Sequence, residues 1–334
     1  MTTYNEGMFR DAENYGASTL DPLEIPQVLS RTIIRDAVKA SSVLQLANVF
    51  RMPARTMRMP VLTGKATAYW LTGANQAARD ETLKQTTHVT LGNIELQAYE
   101  MAVLVRVPDV YQDDTGVDLF GLMQGEISEA IARNIDGAAV FGTNSPFSAT
   151  HDGQSIYQRA VAAGNVATYN ASTPDTAAQI VPLASKLVKQ GYNVGGFAVQ
   201  PGFSWILAGE RTSQGVSPYS PATGVDNVPS SFFGKPMPEV DNGSWDTTKA
   251  LMVMGDWSNC HIGIRADLSA KVFDQGVLND DTGKVIWNAV QNDGKMLRVT
   301  VRYGFCTTSY TTSLSNINSN YPFAVLRPSG APAS

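Results

Sequence analysis

The chain has 334 residues, 43% of them hydrophobic and 16% charged, which is enough for about two folded domains. Its formal net charge is −5, and no cluster of Lys and Arg along the sequence indicates direct recognition of nucleic acid. Two cysteines, Cys260 and Cys306, exclude a disulfide framework and are predicted to be reduced core residues. The sequence has no 18-residue apolar run and no signal-peptide core in its first twenty residues, so we expect a soluble protein made in the cytoplasm.

Residues 1–51 are predicted to form an extended arm followed by a leading helix. Up to about Asp21 the sequence is polar and shows no sustained period. Two prolines then precede a stretch in which apolar residues recur at helical intervals, QVLSRTIIRDAVKASSVLQLANVF. Ser41 and Ser42 compete for backbone hydrogen bonds, so we expect the helix to fray beside them.

Residues 52–108 contain two strand-like runs joined by a polar tip. The first arm spans Met57–Trp70, the tip Thr72–Gln85 and the return arm Thr86–Val107. A two-stranded ribbon is only marginally stable on its own in water. The hairpin is therefore predicted to project from its chain and to complete its burial on a neighbouring subunit.

The apolar pattern of the return arm changes twice. Its first apolar residues share one face and the next ones share the other, which predicts a bulge or bend at Gly92 and Asn93. The two sets are Val89 and Leu91, then Ile94, Leu96 and Ala98. From Val103 to Val107 both faces are apolar, which predicts that the strand enters a covered sheet.

Val117 to Phe141 is predicted to form one long amphipathic helix. Its apolar residues are spaced by three or four, at Phe120, Met123, Ile127, Ile131, Ile135 and Ala138. The complementary polar stripe consists of Glu126, Glu129, Arg133 and Asp136. Glu129 and Arg133 are predicted to form an ion pair across one turn. Asp114 or Thr115 is expected to cap the start of the helix, and Gly142 its end.

From Thr173 onward the pattern predicts a mixed α/β remainder. A helix is predicted over Pro174–Gln190, then a strand at FAVQP, a short helix at FSWILAGE and a long surface loop over Thr212–Pro238. Further strands are predicted at ALMVMGD, HIGIRAD, AKVFDQ, MLRVTVRYGFCTTSY and FAVLRP.

The sequence predicts no catalytic, cofactor-binding or metal-binding residues. It has no nucleophile elbow, Walker loop, dinucleotide fingerprint or zinc-protease motif. The three histidines, His88, His151 and His261, fall on the projecting arm, a loop and a strand. Cys260 and His261 are neighbours on a strand and face opposite sides, so one metal ion does not easily take both.

Two acidic pairs could suggest acid/base or calcium chemistry. Asp113 and Asp114 are interpreted as a helix cap, and Asp280 and Asp281 as part of a hairpin turn. Neither pair has partners that indicate a reaction, so the residues do not support an enzyme.

Taken in order, these segments resemble the major capsid proteins of tailed bacteriophages, the Hong Kong 97 type of shell subunit, whose fold is shared with encapsulins. The resemblance covers nearly the whole chain. IPQVLSRTIIRDAVKASSVLQLANVFRMP resembles the leading helix of that family, and PVLTGKATAYWLTG its extended loop. NIDGAAVFGTNSP resembles the end of the spine helix, whose closing Asp and Gly correspond here to Asp136 and Gly142. FFGKPMPEVDN, LMVMGDWSNCHIGIRADLSAKVF and RVTVRYGFCTTSY resemble the strands and turns that close the two domains.

The resemblance implies an α+β, Hong Kong 97-like capsid fold. An N-terminal arm and leading helix (1–51) would precede the extended hairpin loop (52–108) and a peripheral domain that contains the spine helix (109–164). Residues 165–250 would form the axial domain. Residues 251–334 would return through strands of the axial and peripheral domains.

The function that the resemblance implies is structural. The chain would self-assemble as hexamers and pentamers into an icosahedral phage head that encloses double-stranded DNA, contacted non-specifically. A portal is implied, and because only about twenty residues precede Pro22, a separate scaffolding protein is expected; a decoration protein is a candidate partner. The protein would belong to the virion, assembled in the host cytoplasm, with no membrane partner.

Some family members join a lysine of the extended loop covalently to an asparagine of a neighbour. Lys65 and Lys84 lie in the loop here, but the sequence shows neither a partner nor a catalytic carboxylate. We therefore predict no such bond.

Two alternatives stay open from the sequence. The first is an encapsulin-type shell protein of a cellular compartment, against which the polar arm before the first helix argues. The second is a soluble α/β enzyme whose residues converge only in three dimensions. Nuclease-protected DNA inside particles distinguishes the first from a virus, and a small closed oligomer on gel filtration would favour the second.

Overall fold

A computed structural model of the chain describes residues 41–68, 70, 86–108, 119–149, 153–170, 175–210, 231–280, 282–310, 312 and 320–330. Two larger sheets with helices packed on them confirm the predicted α+β class. The described helices are α1 (Ser42–Leu46), α2 (Leu119–Asp136), α3 (Ile156–Ala162), α4 (Thr176–Lys189) and α5 (Phe203–Gly209). The described strands are β1 (Asn48–Met52), β2 (Thr56–Gly64), β3 (Thr90–Pro108), β4 (Val166–Thr168), β5 (Gly196–Val199), β6 (Ser231–Phe232), β7 (Lys235–Pro236), β8 (Met252–Gly255), β9 (Cys260–Phe273), β10 (Val277–Asn279), β11 (Val285–Asn288), β12 (Gly294–Thr307) and β13 (Phe323–Arg327).

The first sheet has five strands in the order β1-β9-β12-β3-β2. β1 runs parallel to β9, and β12 is antiparallel to both of its neighbours. The sequence predicts two strands, HIGIRAD and AKVFDQ, where the structure has the single strand β9. The pairing register of β12 with β9 shifts between Thr300 and Arg302, so a bulge interrupts the apolar pattern without ending the strand.

The long helix confirms the periodic pattern from which it was predicted. Ile127, Ile131 and Ile135 of α2 are buried in one core cluster with side chains of β12 such as Leu297 and Val299. The helix continues as one π-helical turn over Gly137–Phe141 and ends at Gly142, whose φ of 73° is the left-handed conformation typical of a C-terminal cap. The expected N-terminal caps, Asp114 and Thr115, lie outside the described residues.

The leading helix differs from its prediction. Residues 1–40 lie outside the described residues, and α1 covers only Ser42–Leu46 before the chain turns into β1. Ser41 has an extended backbone and lies outside α1; its hydroxyl accepts a hydrogen bond from the Leu44 N–H at 3.0 Å and caps the start of that helix. The predicted fraying concerns the chain up to Ser41 and stays a prediction, because that stretch lies outside the described residues. The helical prediction is wrong from Asn48 onward, where the same apolar residues pair with β9.

The hairpin is formed by β2 and β3, and its pairing corrects the predicted bulge. β3 runs in unbroken register past Gly92 and Asn93; the irregularity lies on the facing strand, between Leu62 and Gly64. The change in apolar pattern arises because both faces of β3 carry apolar residues. The predicted tip, Thr72–Gln85, lies outside the described residues.

Within the described part of the chain, the sheet that β3 enters is covered on one face only. Val103 and Val105 pack against the core below α2, whereas Leu104 is 52% exposed on the opposite face. The prediction of a sheet covered on both faces is therefore wrong for this part of β3 within the single chain.

The second sheet has four strands in the order β4-β13-β8-β5 and a core of its own. The predicted helix Pro174–Gln190 is confirmed as α4, which the Asp175 side chain caps by accepting from the Ala178 N–H at 3.0 Å. α5 and β5 confirm the short helix and the strand predicted beside it. The loop predicted over Thr212–Pro238 contains the small hairpin β6–β7 among its described residues.

We expect Gly255→Ala to lower the free energy of unfolding by roughly 2–3 kcal/mol through overpacking. Gly255 lies in β8 between β5 and β13, and an added Cβ would sit 2.4 Å from the Pro322 carbonyl oxygen and 2.9 Å from the Phe323 Cα. Backbone atoms of a central strand cannot move aside cheaply. Chemical denaturation followed by circular dichroism measures the change.

Gly209→Ala is the matched control. Gly209 ends α5, and an added Cβ there would meet no heavy atom within 4 Å. We expect this change to stay within about 0.5 kcal/mol of the original chain. Equal unfolding midpoints for the two variants would contradict the steric argument.

Candidate functional site

Asp136, the last residue of α2, forms a buried polar junction. The sequence pattern placed it in the polar stripe, but its side chain is 1% exposed. The Ser41 hydroxyl donates to Oδ1 of Asp136 at 2.5 Å, and the backbone N–H groups of Val43 and Ser42 donate to Oδ1 and Oδ2, each at 3.3 Å. These N–H groups open α1 and have no partner within that helix, so the carboxylate satisfies donors that a helix start leaves unpaired.

Asn242 completes the junction from a third part of the chain. Its Nδ2 donates to Oδ2 of Asp136 at 2.7 Å, while its Oδ1 accepts from the N–H and hydroxyl of Ser244 at 3.1 and 2.6 Å. Its backbone carbonyl accepts from Nε of Arg133 at 2.7 Å. The side-chain amide is fixed in this orientation, because reversing it would lose both bonds from Ser244.

Burial raises the pKa of Asp136 to about 6 from an ordinary value of 3.8. The hydrogen bonds from Ser41, Asn242, Val43 and Ser42 oppose this rise, because every one of them donates to the ionised carboxylate. The loss of hydration on burial has a larger effect on the pKa than these hydrogen bonds. The junction therefore changes its protonation in the mildly acidic range.

A sequence signal for the burial of Asp136 exists but is weak. Ala132 and Ala139 lie one helical turn before and after it, and both are buried. Two small apolar residues flanking an acid along one helix face indicate close packing there. Glu129 and Arg133 behave as the pattern predicts and form an exposed ion pair at 3.1 Å.

One face of the hairpin is apolar, and the described part of its own chain leaves it uncovered. Leu91 is 68% exposed, Trp70 beyond the end of β2 is 91% exposed, and Val89 is also exposed. The opposite face packs in a cluster that includes Leu96 and Met52. The root of the hairpin is thus anchored in its own chain, while the outer part presents apolar surface suited to another molecule.

The histidines and cysteines do not converge on a reactive site. His88 is exposed on the hairpin, and His151 lies outside the described residues. His261 on β9 has its Nε2 3.3 Å from the Thr308 hydroxyl, and burial lowers its pKa. Cys260 and Cys306 are buried free thiols, which confirms the prediction of core cysteines, and burial raises the pKa of Cys260.

The acidic pairs and loop lysines can be placed only in part. Asp280 accepts from the N–H of Thr282 and of Lys284 at 2.9 and 2.8 Å, which makes it part of the turn between β10 and β11 as predicted. Lys65 is exposed at the end of the first arm. Asp113, Asp114, Asp281 and Lys84 lie outside the described residues, and the absence of a covalent bond stays a prediction.

The part of the chain that the structure describes holds no group of three or more His, Cys, Asp or Glu side chains placed to bind a metal ion. None of its helices combines the length and hydropathy needed to cross a bilayer. The features that remain as candidates for function are the Asp136 junction and the open face of the hairpin.

Comparison with known proteins assigns the chain to a family. The model of the phage capsid family matches residues 23–305. The chain belongs to this family. Similar solved structures come from Microbacterium phage Oxtober96, with 28% identity and a TM-score of 0.75 over 86% of this chain and 91% of that one, and from Mycobacterium phage Cain, with 26% identity and a TM-score of 0.73 over 86% and 90%. No curated protein matches the chain.

A more distant structure shares the fold alone. The capsid of an empty GTA particle is 16% identical, with a TM-score of 0.54 over 86% of this chain and 89% of that one. The resemblance recognised in the sequence is thus confirmed: this is a structural major capsid protein with the Hong Kong 97-like fold. Self-association into a shell follows from that identity.

Proposed function

We propose that this capsid protein assembles as hexamers and pentamers into an icosahedral head that encloses double-stranded DNA, and that it catalyses no reaction. The observation that carries the proposal is the exposed apolar surface of the hairpin, to which Leu91, Val89 and Trp70 contribute. Burying a side chain of this kind stabilises a contact by up to ~1.5–3 kcal/mol. Repeated at every subunit boundary, such contacts favour a closed shell over free subunits.

We also propose the division into a peripheral domain around α2 and an axial domain over residues 165–250. The axial domain would meet its copies around the five-fold and six-fold axes. Exposed apolar side chains on α4, α5 and the β6–β7 turn support lateral contacts there, namely Val181, Trp205 and Phe233. Each lies outside the core that these elements form together.

Further partners belong to the same proposal. A portal and a separate scaffolding protein would act during assembly in the host cytoplasm, a decoration protein is a candidate partner outside the shell, and the packaged DNA would be contacted non-specifically. The net charge of −5 supports the last point, because a mildly acidic container holds polyanions weakly.

Electron microscopy of the expressed chain tests the proposal. We expect shells from the full chain, and only folded free subunits when Thr72–Gln85 is replaced by a Gly/Ser linker of equal length. The matched control is a chain in which the same linker length replaces 212–225 of the predicted surface loop, which we expect to assemble. A stable monomer of the full chain under assembly conditions would contradict the proposal.

A further inference from the structure

The described part of the chain leaves one face of the five-stranded sheet uncovered, and this face is basic. Even-numbered residues of β3 from Glu100 to Arg106 are exposed, while the odd-numbered ones face the core below α2. The strand register places Arg302 of β12 beside Glu100 and Arg265 of β9 beside Arg302. Four residues further along β3, the same register aligns Leu104 with Arg298 of β12 and Lys271 of β9.

The open face forms a trough that is closed at both ends. At one end Met52 and Leu96 cover the sheet; an added Cβ on Gly263 would lie 2.4 Å from Sδ of Met52. At the other end Met296 is buried in a cluster with Trp287 from the β10–β11 hairpin. The open stretch of strands between these two ends spans roughly 20 Å at about 3.4 Å per residue, which is the length of an extended peptide of about six residues.

Six cations and one carboxylate line the described part of this trough. The cations are Arg55, Arg106, Arg265, Lys271, Arg298 and Arg302. The carboxylate, Glu100, accepts from Nε and a terminal nitrogen of Arg302 at 3.1 and 2.9 Å. Arg298 lies over the ring of Phe273, 4.9 Å from its centroid. A surface with this excess of positive charge attracts an acidic partner.

We propose that the trough binds the acidic N-terminal segment, residues 1–25, of a neighbouring subunit. That segment carries five acids and one arginine, a formal net charge of −4: Glu6, Asp11, Glu13, Asp21 and Glu24 against Arg10. Fully extended, 25 residues reach up to ~80 Å, which is enough to cross onto another subunit. The inference rests on the proposed assembly into shells.

The geometry favours a neighbour over the same chain. Ser41, the first described residue, is hydrogen-bonded to Asp136 of α2, and α2 lies against the covered face of the sheet. A segment preceding Ser41 would have to pass around the sheet edge to reach its own trough.

Two other segments of the chain are less suitable occupants. Residues 109–118 carry four acids and no base, but they are tied at both ends, to β3 and to α2 on the covered face. The hairpin tip, Thr72–Gln85, carries two acids and two bases and has no net charge to match the trough. Residues 1–25 combine a net charge of −4 with about fifteen residues of intervening chain before Ser41, the nearest described residue.

Carbodiimide cross-linking of nuclease-treated particles tests the proposal directly. This reagent joins a carboxylate to a primary amine, and Lys271 supplies the amine among the six trough cations. We expect peptide mapping to show Lys271 linked to an acid within residues 1–25, and mixing of isotope-labelled and unlabelled subunits to show that the link joins two chains. Intact particles in which Lys271 is linked to 109–118, to the hairpin tip or to no carboxylate would overturn this inference without contradicting the proposed function. Subunits that never assemble would instead contradict the proposed function on which the inference rests.

Charge reversal provides a second test in the full chain. We expect Arg55→Glu with Lys271→Glu to lower particle yield roughly ten-fold, and Glu6→Lys, Asp11→Lys and Glu13→Lys in the same chain to restore it. The control pair Arg51→Glu and Lys284→Glu changes two exposed cations that lie outside the trough and outside the axial surface, and it should leave the yield unchanged. Thermal unfolding of both double variants checks that the subunit still folds. A trough variant that assembles normally but loses affinity for duplex DNA would show that the trough serves nucleic acid instead, against the proposal.

Discussion

Asp136→Ala is expected to lower the free energy of unfolding by ~3 kcal/mol at neutral pH. The change leaves the Ser41 hydroxyl, the Asn242 side-chain amide and two backbone N–H groups buried without the acceptor that they now share. It also removes the carboxylate through which three distant parts of the chain are hydrogen-bonded to one another. Equilibrium denaturation of the free subunit measures the loss.

Glu129→Ala is the matched control for this prediction. Glu129 lies on the same helix two turns earlier and pairs with Arg133 at the surface. An exposed ion pair contributes little, so we expect a change of less than about 0.5 kcal/mol. If Asp136→Ala were no more harmful than Glu129→Ala, the junction would have no structural role.

The same junction predicts how stability depends on pH. The pKa of Asp136 is about 6 in the folded state against 3.8 as the ordinary value, so between these values the folded state binds the extra proton. The contribution of Asp136 to stability is therefore fully present below pH 4, falls as pH rises toward 6, and stays constant above that, with a total change on the order of 3 kcal/mol. Asp136→Asn cannot titrate, so the difference in unfolding free energy between the two proteins should vary over pH 4–7. A difference that is constant with pH would refute this assignment.

Features of the fold that are set by residues close together in the sequence could be predicted. The apolar spacing of α2, the cap at Gly142 and the helix α4 follow from periodicity and turn chemistry within one stretch of chain. The order of these elements was enough to recognise the family. The burial of Asp136 was not predictable in this way, because its partners Ser41 and Asn242 lie about a hundred residues away on either side.

The basic trough was missed for a related reason. Arg55, Arg265 and Arg302 are far apart in the sequence, and only the strand register brings them to one face. No run of Lys and Arg along the sequence marks it. The predicted bulge at Gly92 and Asn93 failed because the alternation rule assumes one buried face per strand, whereas β3 has apolar residues on both.

Leu91→Asp is expected to leave a folded subunit that forms no shells. Leu91 is 68% exposed, so a carboxylate there stays hydrated in the free subunit and should leave the unfolding midpoint nearly unchanged. In an assembled shell the same carboxylate would have to be buried against apolar surface, which costs several kcal/mol at every hairpin contact. Sedimentation and electron microscopy measure the loss of particles.

Leu96→Asp is expected to give the opposite result. Leu96 lies five residues further along β3 on the other face, is 0% exposed and packs with Met52 in the root of the hairpin. An unpaired carboxylate there is expected to unfold the subunit itself, seen as loss of the cooperative circular-dichroism transition. Leu91→Val, which keeps the side chain apolar, should still assemble. Shells formed by Leu91→Asp would mean that the open face of β3 stays in water, and the role of this face in contact between subunits would have to be abandoned.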